Sequence, residues 1–515
     1  MLDLGTSFLA SVARDPDALA IVDGSLRLSY AQWYGRISAL VSSLERLGLR
    51  PGDHIVTALQ NRWEAATLHW ACQLAGLIVT PFNWRAKTDE LDFCIENSEA
   101  RAVVYQDVSA EAAAASARAR SLPRVRVGAD VIGDGSAHSF DDFAATRAAE
   151  ARPKVDAEAW SVMLYTSGTT SKPKGVPRRH RAERAAGVAH VAQNLYRRGE
   201  RTLGVMPLYH TMGVRSLIAM SLVGGTFVCL PRYDARRALK LIESERITNL
   251  YLVPTLFHDL VHADEFAAAD VSSVRRIGFA GAAMTDGLLN KLNAAFKPEL
   301  FVNHYGSSEV YTLTIDQNAA AKPGSAGKAG INQHVKVVRL GSKTANEVAA
   351  PGEEGEIIAP LAGDEAFEGY WRRPDADARA LRDGWYFTGD TGFIDGDGDL
   401  FVTGRVDDMI ITGGENVSPV EIESCISLHP AVSEVAVVGL PDEKWGRIVA
   451  AFIKRSAPVT AEEIDQFCLT SGLANFKRPR RIVFVDNIPK SPVGKLLRRL
   501  LVSGDYQTEV TPPAA

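Results

Sequence analysis

The sequence predicts an α/β protein of at least two domains, with parallel sheets covered by helices in its larger N-terminal part. The chain has 515 residues, more than one hydrophobic core usually supports. Amphipathic helical patterns alternate with short apolar runs over residues 28–80 and again over 203–253, which is typical of strands joined by helices. From about residue 355 the pattern changes to shorter strands and turns, and residues 408–505 hold enough elements for a small separate domain.

Composition and charge narrow the functional class. Hydrophobic residues make up 46% of the chain and charged residues 23%, as in ordinary soluble globular proteins. The net charge of −5 gives no electrostatic case for a nucleic-acid partner. The five cysteines show no CxxC spacing, which argues against a disulfide framework or a zinc site and fits a reducing cytoplasm. The N-terminus lacks the features of a signal peptide, and the longest apolar stretch, 217–230, is too short to span a membrane.

Hydrophobic periodicity assigns the first elements. Residues 30–47 carry apolar side chains at helical spacing, and Pro51-Gly52-Asp53 turns the chain into a strand over 54–59. Residues 108–155 are rich in Ala, Arg and Asp and poor in large apolar side chains. They are therefore expected to form a surface excursion and to contribute nothing to the core.

A loop rich in hydroxyls and glycines follows the apolar run 161–164, and we call residues 165–175 the hydroxyl loop. Gly168 and Gly175 permit close approach of backbone N–H groups, the hydroxyls offer rotatable donors, and Lys174 adds positive charge. These properties suit a polyphosphate, although the spacing is not that of the Walker A loop. A surface loop without a ligand is the alternative.

Three further segments stand where strands should end. They are Tyr209-His210 after the strand 203–207, Gly278 to Ala282, and Asn303 to Glu309. Open α/β sheets place ligands at the carboxyl ends of their strands. These segments and the hydroxyl loop are therefore expected to converge on one crevice.

Two features organise the C-terminal part. Asp395 to Asp399 resembles the start of a calcium loop, but Leu400 and Val406 stand where glycine and glutamate are required, so a hairpin turn is predicted. Ser418-Pro419-Val420-Glu421 predicts a helix start, with a serine cap and proline at the first helical position.

Five ordered motifs resemble the adenylate-forming superfamily of acyl-CoA synthetases, peptide-synthetase adenylation domains and beetle luciferases. They are the hydroxyl loop, Tyr305 to Glu309, Tyr386 to Asp390, Gly404 to Asp408, and Pro489 to Lys495. The match covers nearly the whole chain. Residues 206–210, 405–416 and 476–480 most resemble the bacterial aryl-CoA ligases, the 4-chlorobenzoate–CoA ligases in particular.

The resemblance implies a domain plan and a reaction. A large N-terminal domain, 1–405, would hold parallel-rich sheets and a β-barrel-like subdomain, and Asp407 would be the hinge within 406–408. A small mobile α+β domain would follow at 409–505, with a tail at 506–515. ATP, Mg²⁺ and coenzyme A would serve two half-reactions, in which the acid becomes an acyl-adenylate with release of pyrophosphate and the thiolate then displaces AMP. Because both partners of the first step are anionic, the site must supply positive charge.

Residue roles are carried over position by position. Lys495 would bridge carboxylate and α-phosphate, Glu309 would bind Mg²⁺, and Asp390 would accept hydrogen bonds from the ribose. The other nucleotide-binding residues would be Thr166, Ser167, Gly168, Thr169, Thr170, Lys174, Gly281, Ala282, Ala283, Tyr305, Gly306, Ser307 and Arg405. Outside their motifs, these residues would be read as ordinary surface, turn or core positions. Ser171 departs from the family pattern, which usually has glycine there.

The acid and coenzyme A sites are implied in the same way. His210 would gate or polarise the carboxylate environment and would not be a general base. Coenzyme A would meet Arg85, Gly413, Gly414, Trp445, Phe476, Arg478 and Arg480, and the acyl pocket would be lined by Thr211, Met212, Tyr251, His304, Tyr311 and Thr312. Several pocket positions are more polar than a halobenzoate requires, which favours an aromatic or heteroaromatic acid such as furoate or a hydroxybenzoate.

Other functions stay open at this point. The alternatives are a stand-alone adenylation enzyme that loads a carrier protein, a medium-chain acyl-CoA synthetase, and a nucleotide-binding protein without activity. The expected partners are small molecules, with neither nucleic acid nor membrane. The oligomeric state is undetermined, with a homodimer among the alternatives.

Overall fold

A computed structural model describes residues 2–146, 148–166, 173–406, 408–491 and 496–509. The strands are β1 (Leu19–Asp23), β2 (Leu26–Ser29), β3 (His54–Ala58), β4 (Ile78–Pro81), β5 (Ala102–Gln106), β6 (Arg124–Val127), β7 (His138–Ser139), β8 (Trp160–Thr166), β9 (Lys174–Arg179), β10 (Arg201–Gly204), β11 (Thr226–Cys229), β12 (Asn249–Leu252), β13 (Arg276–Phe279), β14 (Leu300–Tyr305), β15 (Thr314–Asp316), β16 (Ser325–Ala329), β17 (Lys336–Arg339), β18 (Gly355–Pro360), β19 (Leu381–Arg382), β20 (Trp385–Ile394), β21 (Leu400–Arg405), β22 (Ile410–Thr412), β23 (Glu415–Val417), β24 (Val432–Asp442), β25 (Gly446–Arg455) and β26 (Arg481–Phe484). The α-helices are α1 (Leu4–Arg14), α2 (Tyr30–Arg46), α3 (Trp63–Ala75), α4 (Thr88–Ser98), α5 (Ala110–Ala115), α6 (Ala117–Arg120), α7 (Phe140–Ala145), α8 (His180–Gln193), α9 (Thr211–Leu222), α10 (Ala235–Ser244), α11 (Pro254–Val261), α12 (Asp286–Phe296), α13 (Pro374–Ala380), α14 (Pro419–Ser427), α15 (Ala461–Thr470) and α16 (Arg498–Ser503).

The described strands form three sheets. The first has the order β7-β6-β5-β3-β4-β8-β9, with all neighbours parallel except β8 and β9. The second runs β17-β18-β20-β21-β16-β15-β14-β13-β12-β10-β11-β1-β2 and is parallel from β14 to β1. The third, β23-β22-β25-β24 with β26 beside β25, uses only strands after residue 409. The predicted class, a mixed α/β fold with a large sheet and a separate C-terminal domain, is confirmed.

Helices pack between the two large sheets and join them into one core. Ser29 begins α2 with a reciprocal cap, in which its hydroxyl accepts from the Gln32 amide and the Gln32 side chain accepts from the Ser29 amide. The core cluster combines side chains of α1, α2, α3, β8, α9 and β11. Phe8 stacks on Trp70 with ring centroids 4.7 Å apart. None of the helices in the described ranges has the length and apolar character that a membrane crossing requires.

The prediction that residues 108–155 lie outside the core was wrong. β6 extends the first sheet beside β5 and buries Val125 and Val127. Phe140 at the start of α7 is fully buried and makes an edge-on contact with Trp63 at 5.6 Å. Few large apolar side chains are needed to form this part of the core, because the alanines of α5 and α6 pack closely, with Ala113 and Ala119 fully buried.

The C-terminal motifs fold largely as predicted. Residues 395–399 form the turn between the antiparallel strands β20 and β21, and the ammonium of Lys322 lies 2.5 Å from Asp395 and 2.6 Å from Asp399. The helix α14 begins at Pro419, but the Ser418 hydroxyl does not cap it. That hydroxyl donates to the Thr403 carbonyl at 2.5 Å and so ties the helix start to β21.

Glu64 gives the protein a pH-dependent stability. Burial raises its pKa from 4.5 to about 7, against the opposing effect of Arg62. A carboxyl whose pKa is raised by folding contributes stability that is complete below pH 4.5 and is lost as the pH rises through about 7. Glu64→Gln should therefore raise the free energy of unfolding at pH 8, by on the order of 1 to 3 kcal/mol, and change it little at pH 4.5. Urea denaturation of both proteins at the two pH values measures this, and a difference independent of pH would contradict it.

Candidate active site

The carboxyl ends of the central parallel strands meet at one edge of the large sheet. His210 follows β10, Gly281 follows β13, and Tyr305 ends β14. Parallel neighbours share this direction, so these residues are brought to the same side. Three of the four segments predicted from the sequence therefore lie on the same side of the large sheet, and the hydroxyl loop lies mostly outside the described residues.

Asp390 joins two of the predicted nucleotide-binding residues. The Tyr305 hydroxyl donates to its Oδ2 at 2.7 Å, and the Arg405 guanidinium lies 3.1 Å from its Oδ1. Burial, reinforced by Asp390, holds the pKa of Tyr305 well above 10, so the phenol remains a donor. Gly389 has φ +72°, and a Cβ there would lie 3.0 Å from the Arg405 guanidinium, which explains the glycine in this turn. The three side chains form a fixed unit in which an anionic acceptor is held between a phenol and a cation.

Glu309 and Lys174 meet around a residue that sequence reasoning missed. The Tyr370 hydroxyl donates to Glu309 Oε1 at 2.6 Å, and the Lys174 ammonium lies 3.9 Å from the centroid of the Tyr370 ring. Burial lowers the pKa of Lys174 from 10.5, an effect that Glu309 opposes. The Ser307 hydroxyl accepts from the Glu309 and Val310 amides at 3.2 Å and so orders this turn. Tyr370 had no motif of its own, because its partner is 61 residues away in sequence.

The glycines of the site have distinct roles. A Cβ at Gly306 would lie 2.1 Å from the Tyr311 carbonyl oxygen, so only glycine fits between Tyr305 and the turn. Gly281 has φ +84°, which places the chain of Gly281, Ala282 and Ala283 in a turn directly after β13.

Thr166 ends β8, and its hydroxyl oxygen is buried without a hydrogen-bond partner in the described part of the chain. Ser167, Gly168, Thr169, Thr170, Asp407 and Lys495 lie outside the described residues.

His210 caps the helix α9. Its Nδ1 accepts from the Met212 amide at 3.3 Å. Because Nδ1 accepts, the proton of the neutral ring belongs on Nε2. The ring is thus held as a donor at the start of the helix that carries Thr211 and Met212.

The predicted acyl-pocket residues surround a buried arginine. Arg215 of α9 is 2% exposed, and its Nη1 donates to the Tyr311 carbonyl at 3.2 Å and the Thr312 hydroxyl at 2.6 Å. Its Nη2 contacts the Tyr251 hydroxyl, and the centroid of the Tyr251 ring lies 5.1 Å from that of the His304 ring. Sequence reasoning missed Arg215, although a lone charge in the otherwise uncharged helix 211–222 was a usable signal.

A second buried cation supports the site from behind. Arg178 and Glu183 are both 0% exposed and are paired at 2.8 Å. Arg178 also donates to the Glu309 carbonyl at 3.1 Å and the Glu365 carbonyl at 2.6 Å, and it lies 3.9 Å over the Tyr311 ring. One guanidinium thereby fixes the backbone of Glu309 and one ring of the pocket.

The predicted coenzyme A residues fall into separate groups. On the small domain, the Gly413 amide donates to the Trp445 carbonyl at 3.0 Å, and Arg480 lies 4.4 Å over the Trp445 ring. Gly414 follows in the same turn with φ +89°, Phe476 is 42% exposed, and Arg478 pairs with Asp465 at 3.3 Å. Arg85 stacks on Trp84 at 3.7 Å on the large domain. Within the described ranges, no hydrogen bond or ion pair joins Arg85 to the small-domain group.

This acceptor unit, with a lysine close to a buried glutamate and a neighbouring cluster of rings, is the arrangement expected of an adenylate-forming enzyme. A model of the AMP-binding enzyme family matches residues 8–371, and a model of the AMP-binding enzyme C-terminal domain matches 421–495. The chain belongs to the AMP-binding enzyme family, and it is an AMP-forming acid–thiol ligase.

Individual relatives agree with this assignment. A 4-chlorobenzoate–CoA ligase of Arthrobacter sp is 35% identical over 496 residues, which are 95% of this chain and 93% of that protein. A long-chain-fatty-acid–CoA ligase of Mycobacterium tuberculosis is 33% identical over 97% of this chain and 98% of its own length. Among solved structures, the anthranilate CoA ligase AuaEII in complex with anthranoyl-AMP has a TM-score of 0.88 at 25% identity, covering 98% of this chain and 97% of that one. The resemblance stated from the five motifs is confirmed.

Proposed function

We propose that this ligase activates an aromatic or heteroaromatic carboxylic acid, benzoate-like or furoate-like, as its acyl-adenylate and transfers the acyl group to coenzyme A. The observation that carries the proposal is the cluster of rings behind His210, in which Tyr251 lies 5.1 Å from His304 and 4.7 Å from His190. These rings support a flat acid, because aromatic side chains can pack against an aromatic substrate. The relatives include both aryl and fatty-acid ligases, so they do not by themselves select the acid class.

The nucleotide would be held by Asp390 and its partners. Asp390 would accept hydrogen bonds from both ribose hydroxyls, with its carboxylate oriented by Tyr305 and Arg405. The turn at Gly281, Ala282 and Ala283 would form one wall of the adenine slot, and the Tyr305 ring the other.

His210 would orient the acid. With Nδ1 accepting from Met212, the proton is on Nε2, and this N–H would donate to a carboxylate oxygen of the acid and orient the carboxylate for attack on the α-phosphate. A ring held in this tautomer is an orienting donor. It cannot at the same time accept a proton at Nε2, so a general-base role is not proposed.

Mg²⁺ would be held by Glu309. The residues fit this ion, because Tyr370 occupies only Oε1 of a buried carboxylate, and the Thr166 hydroxyl, opposite Lys174 in the β8–β9 register, is a buried oxygen without a partner in the described part of the chain. When bound, Mg²⁺ would neutralise charge on the triphosphate. Lys174 and the hydroxyl loop would hold the β- and γ-phosphates.

Two residues outside the described ranges complete the proposal. Lys495 would stabilise the developing charge between carboxylate and α-phosphate as a point cation. Rotation at Asp407 would then withdraw it and bring Gly413, Gly414 and Trp445 to the adenylate, with Arg85, Phe476, Arg478 and Arg480 holding the coenzyme A nucleotide.

Asp407→Pro should separate the half-reactions. Proline fixes φ near −65° and would prevent the hinge rotation, so adenylation should persist within about threefold while thioester formation falls at least about a hundredfold. Pyrophosphate release and thioester product are measured on the same protein, with the neighbouring exposed Val406→Ala as control. Unchanged overall turnover would remove the hinge from the mechanism.

The activity itself is tested by pyrophosphate release over a panel of benzoates, furoates and C6–C12 fatty acids, with and without coenzyme A. The proposal expects release that depends on an aromatic acid, and a thioester product with free coenzyme A. Release without thioester would point to a carrier protein as acceptor, and preference for alkyl acids would contradict the proposed acid class.

A further inference from the structure

The buried end of the acyl pocket is polar, and its hydrogen bonds are incomplete. We call His190, Asn194, Arg215, Tyr251 and His304 the polar floor. All five are at most 2% exposed. Gly278 of β13 makes room for them, because a Cβ there would lie 3.0 Å from the Tyr251 ring and 3.4 Å from Asn194 Oδ1.

The Asn194 amide sets the protonation of both histidines. Its Nδ2 donates to the His190 carbonyl at 2.8 Å and lies 3.0 Å from His190 Nδ1, so that ring nitrogen accepts. Its Oδ1 then faces His304 Nε2 at 3.2 Å, so that nitrogen donates. Burial, together with Arg215, holds the pKa of each histidine well below 6.5, so both rings are neutral.

This assignment leaves one donor and one acceptor unused. His190 Nε2 carries a proton and His304 Nδ1 carries a lone pair, and both are buried without a partner in the described part of the chain. The two ring centroids are 5.2 Å apart, so the two unused nitrogens belong to neighbouring rings. Buried polar atoms are nearly always paired in native proteins, and each exception calls for an explanation.

Arg215 adds a second unused donor. Its Nε is buried without a partner, whereas its Nη atoms bind the backbone and hydroxyl groups of Tyr311, Thr312 and Tyr251. Glu365 balances the charge of Arg215, and Thr312 joins the two residues. The Thr312 amide donates to Glu365 Oε2 at 3.1 Å, and the Thr312 hydroxyl accepts from Arg215. Glu365 Oε1 accepts from Asn332 at 3.0 Å.

We propose that the acid carries a hydroxyl group on its ring, and that the polar floor binds this hydroxyl through His304 Nδ1 as acceptor and His190 Nε2 and Arg215 Nε as donors. This inference rests on the proposed function. A hydroxyl both donates and accepts, so it matches the unused atoms in number and type.

Other substituents match less well. A chlorine or methyl group would leave the buried donors and the acceptor unpaired. This costs binding free energy, because these groups lose hydrogen bonds to water and gain none to the substrate. A second carboxylate could satisfy the donors, but it would face the His304 lone pair and add a negative charge beside the balanced Arg215 and Glu365. A furan oxygen accepts only, so it would leave His304 Nδ1 unused.

The test compares kcat/KM for pyrophosphate release with benzoate, 2-furoate, 4-chlorobenzoate, isophthalate, terephthalate and the three hydroxybenzoates. A site built to bind a hydroxyl rejects the analogue that lacks it by up to about 10⁴-fold. At least one hydroxybenzoate should therefore exceed benzoate and 4-chlorobenzoate by about a hundredfold or more. Equal values for all the aromatic acids, with thioester still formed, would overturn the hydroxyl proposal and leave the ligase function standing. No release with any aromatic acid would overturn the proposed acid class instead.

Variants assign the preference to the polar floor. His304→Ile removes the acceptor, and Arg215→Met removes one of the two donors, so each should reduce the ratio of kcat/KM for hydroxybenzoate over benzoate by at least about tenfold. His54→Ile is the matched control, because His54 is also a buried strand histidine but pairs with Thr80 in the other sheet. A purely structural role would lower both substrates equally and leave the ratio unchanged, which would contradict the proposal. If Arg215→Met does not fold, His304→Ile alone decides.

Discussion

Lys495→Ala is expected to lower the rate of adenylation by at least about a thousandfold, the upper end of what removing one preorganised charge-stabilising group costs. The reacting carboxylate and triphosphate repel each other, and in the proposed mechanism Lys174, which lies over the Tyr370 ring, would contact the β- and γ-phosphates. No other cation in our assignment is placed between the acid and the α-phosphate.

Thioester formation from supplied acyl-adenylate distinguishes this role from a structural one. Lys495→Ala should perform that second step within about threefold of the parent enzyme, since the proposed rotation withdraws the lysine before thiolate attack. Lys490→Ala is the control, because Lys490 belongs to the same motif, Pro489 to Lys495, but is paired with Glu434. Equal losses in both half-reactions would refute the division of labour between the two domain positions.

Among these variants, Arg178→Met should cause the largest decrease in the free energy of unfolding. Arg178→Met leaves the carboxylate of Glu183 buried without its cation, which costs about 3 to 5 kcal/mol. It also frees the carbonyl of Glu309, so the Mg²⁺ concentration needed for half-maximal activity should rise. Urea denaturation and a magnesium titration of pyrophosphate release measure the two effects.

The double variant Arg178→Met with Glu183→Leu gives the control for charge burial. Removing both partners of a buried pair is often close to neutral, so the double variant should be more stable than either single variant. Arg179→Met tests the neighbouring position, because Arg179 pairs with Glu368 at a partly exposed site where ion pairs contribute about 1 kcal/mol or less. Additive losses in the double variant would show that the pair does not act as a unit.

The nucleotide side of the site could be predicted because its residues belong to contiguous motifs. Tyr305 ends β14 and Glu309 follows it, whereas Asp390 and Arg405 face each other across the antiparallel pair β20 and β21. Tyr370 could not be found in this way, since only folding brings it to Glu309. The pairing of Arg178 with the carbonyls of Glu309 and Glu365 spans 131 and 187 residues, and no local pattern encodes it.

For the acyl pocket and for the strand β6, local sequence patterns likewise predicted only part of the structure. The polarity of Tyr251 and His304 was visible in the sequence, but the partner that fixes the His304 proton, Asn194, lies 110 residues earlier at the end of α8. The strand β6 was missed because its alternating Arg-Val-Arg-Val pattern was outweighed by the alanine-rich residues before it. Tertiary packing supplied what local periodicity lacked.

The link between Asp390 and Arg405 has a mechanical consequence. Arg405 binds Asp390, and the amide of the next residue, Val406, donates to the Gly389 carbonyl at 2.9 Å. Gly389 and Asp390 are neighbours in β20, at the position proposed to receive the sugar. If Asp407 is the hinge, as we propose, rotation of the C-terminal domain would begin after these two contacts, so the mononucleotide would stay bound to the larger domain between the two half-reactions.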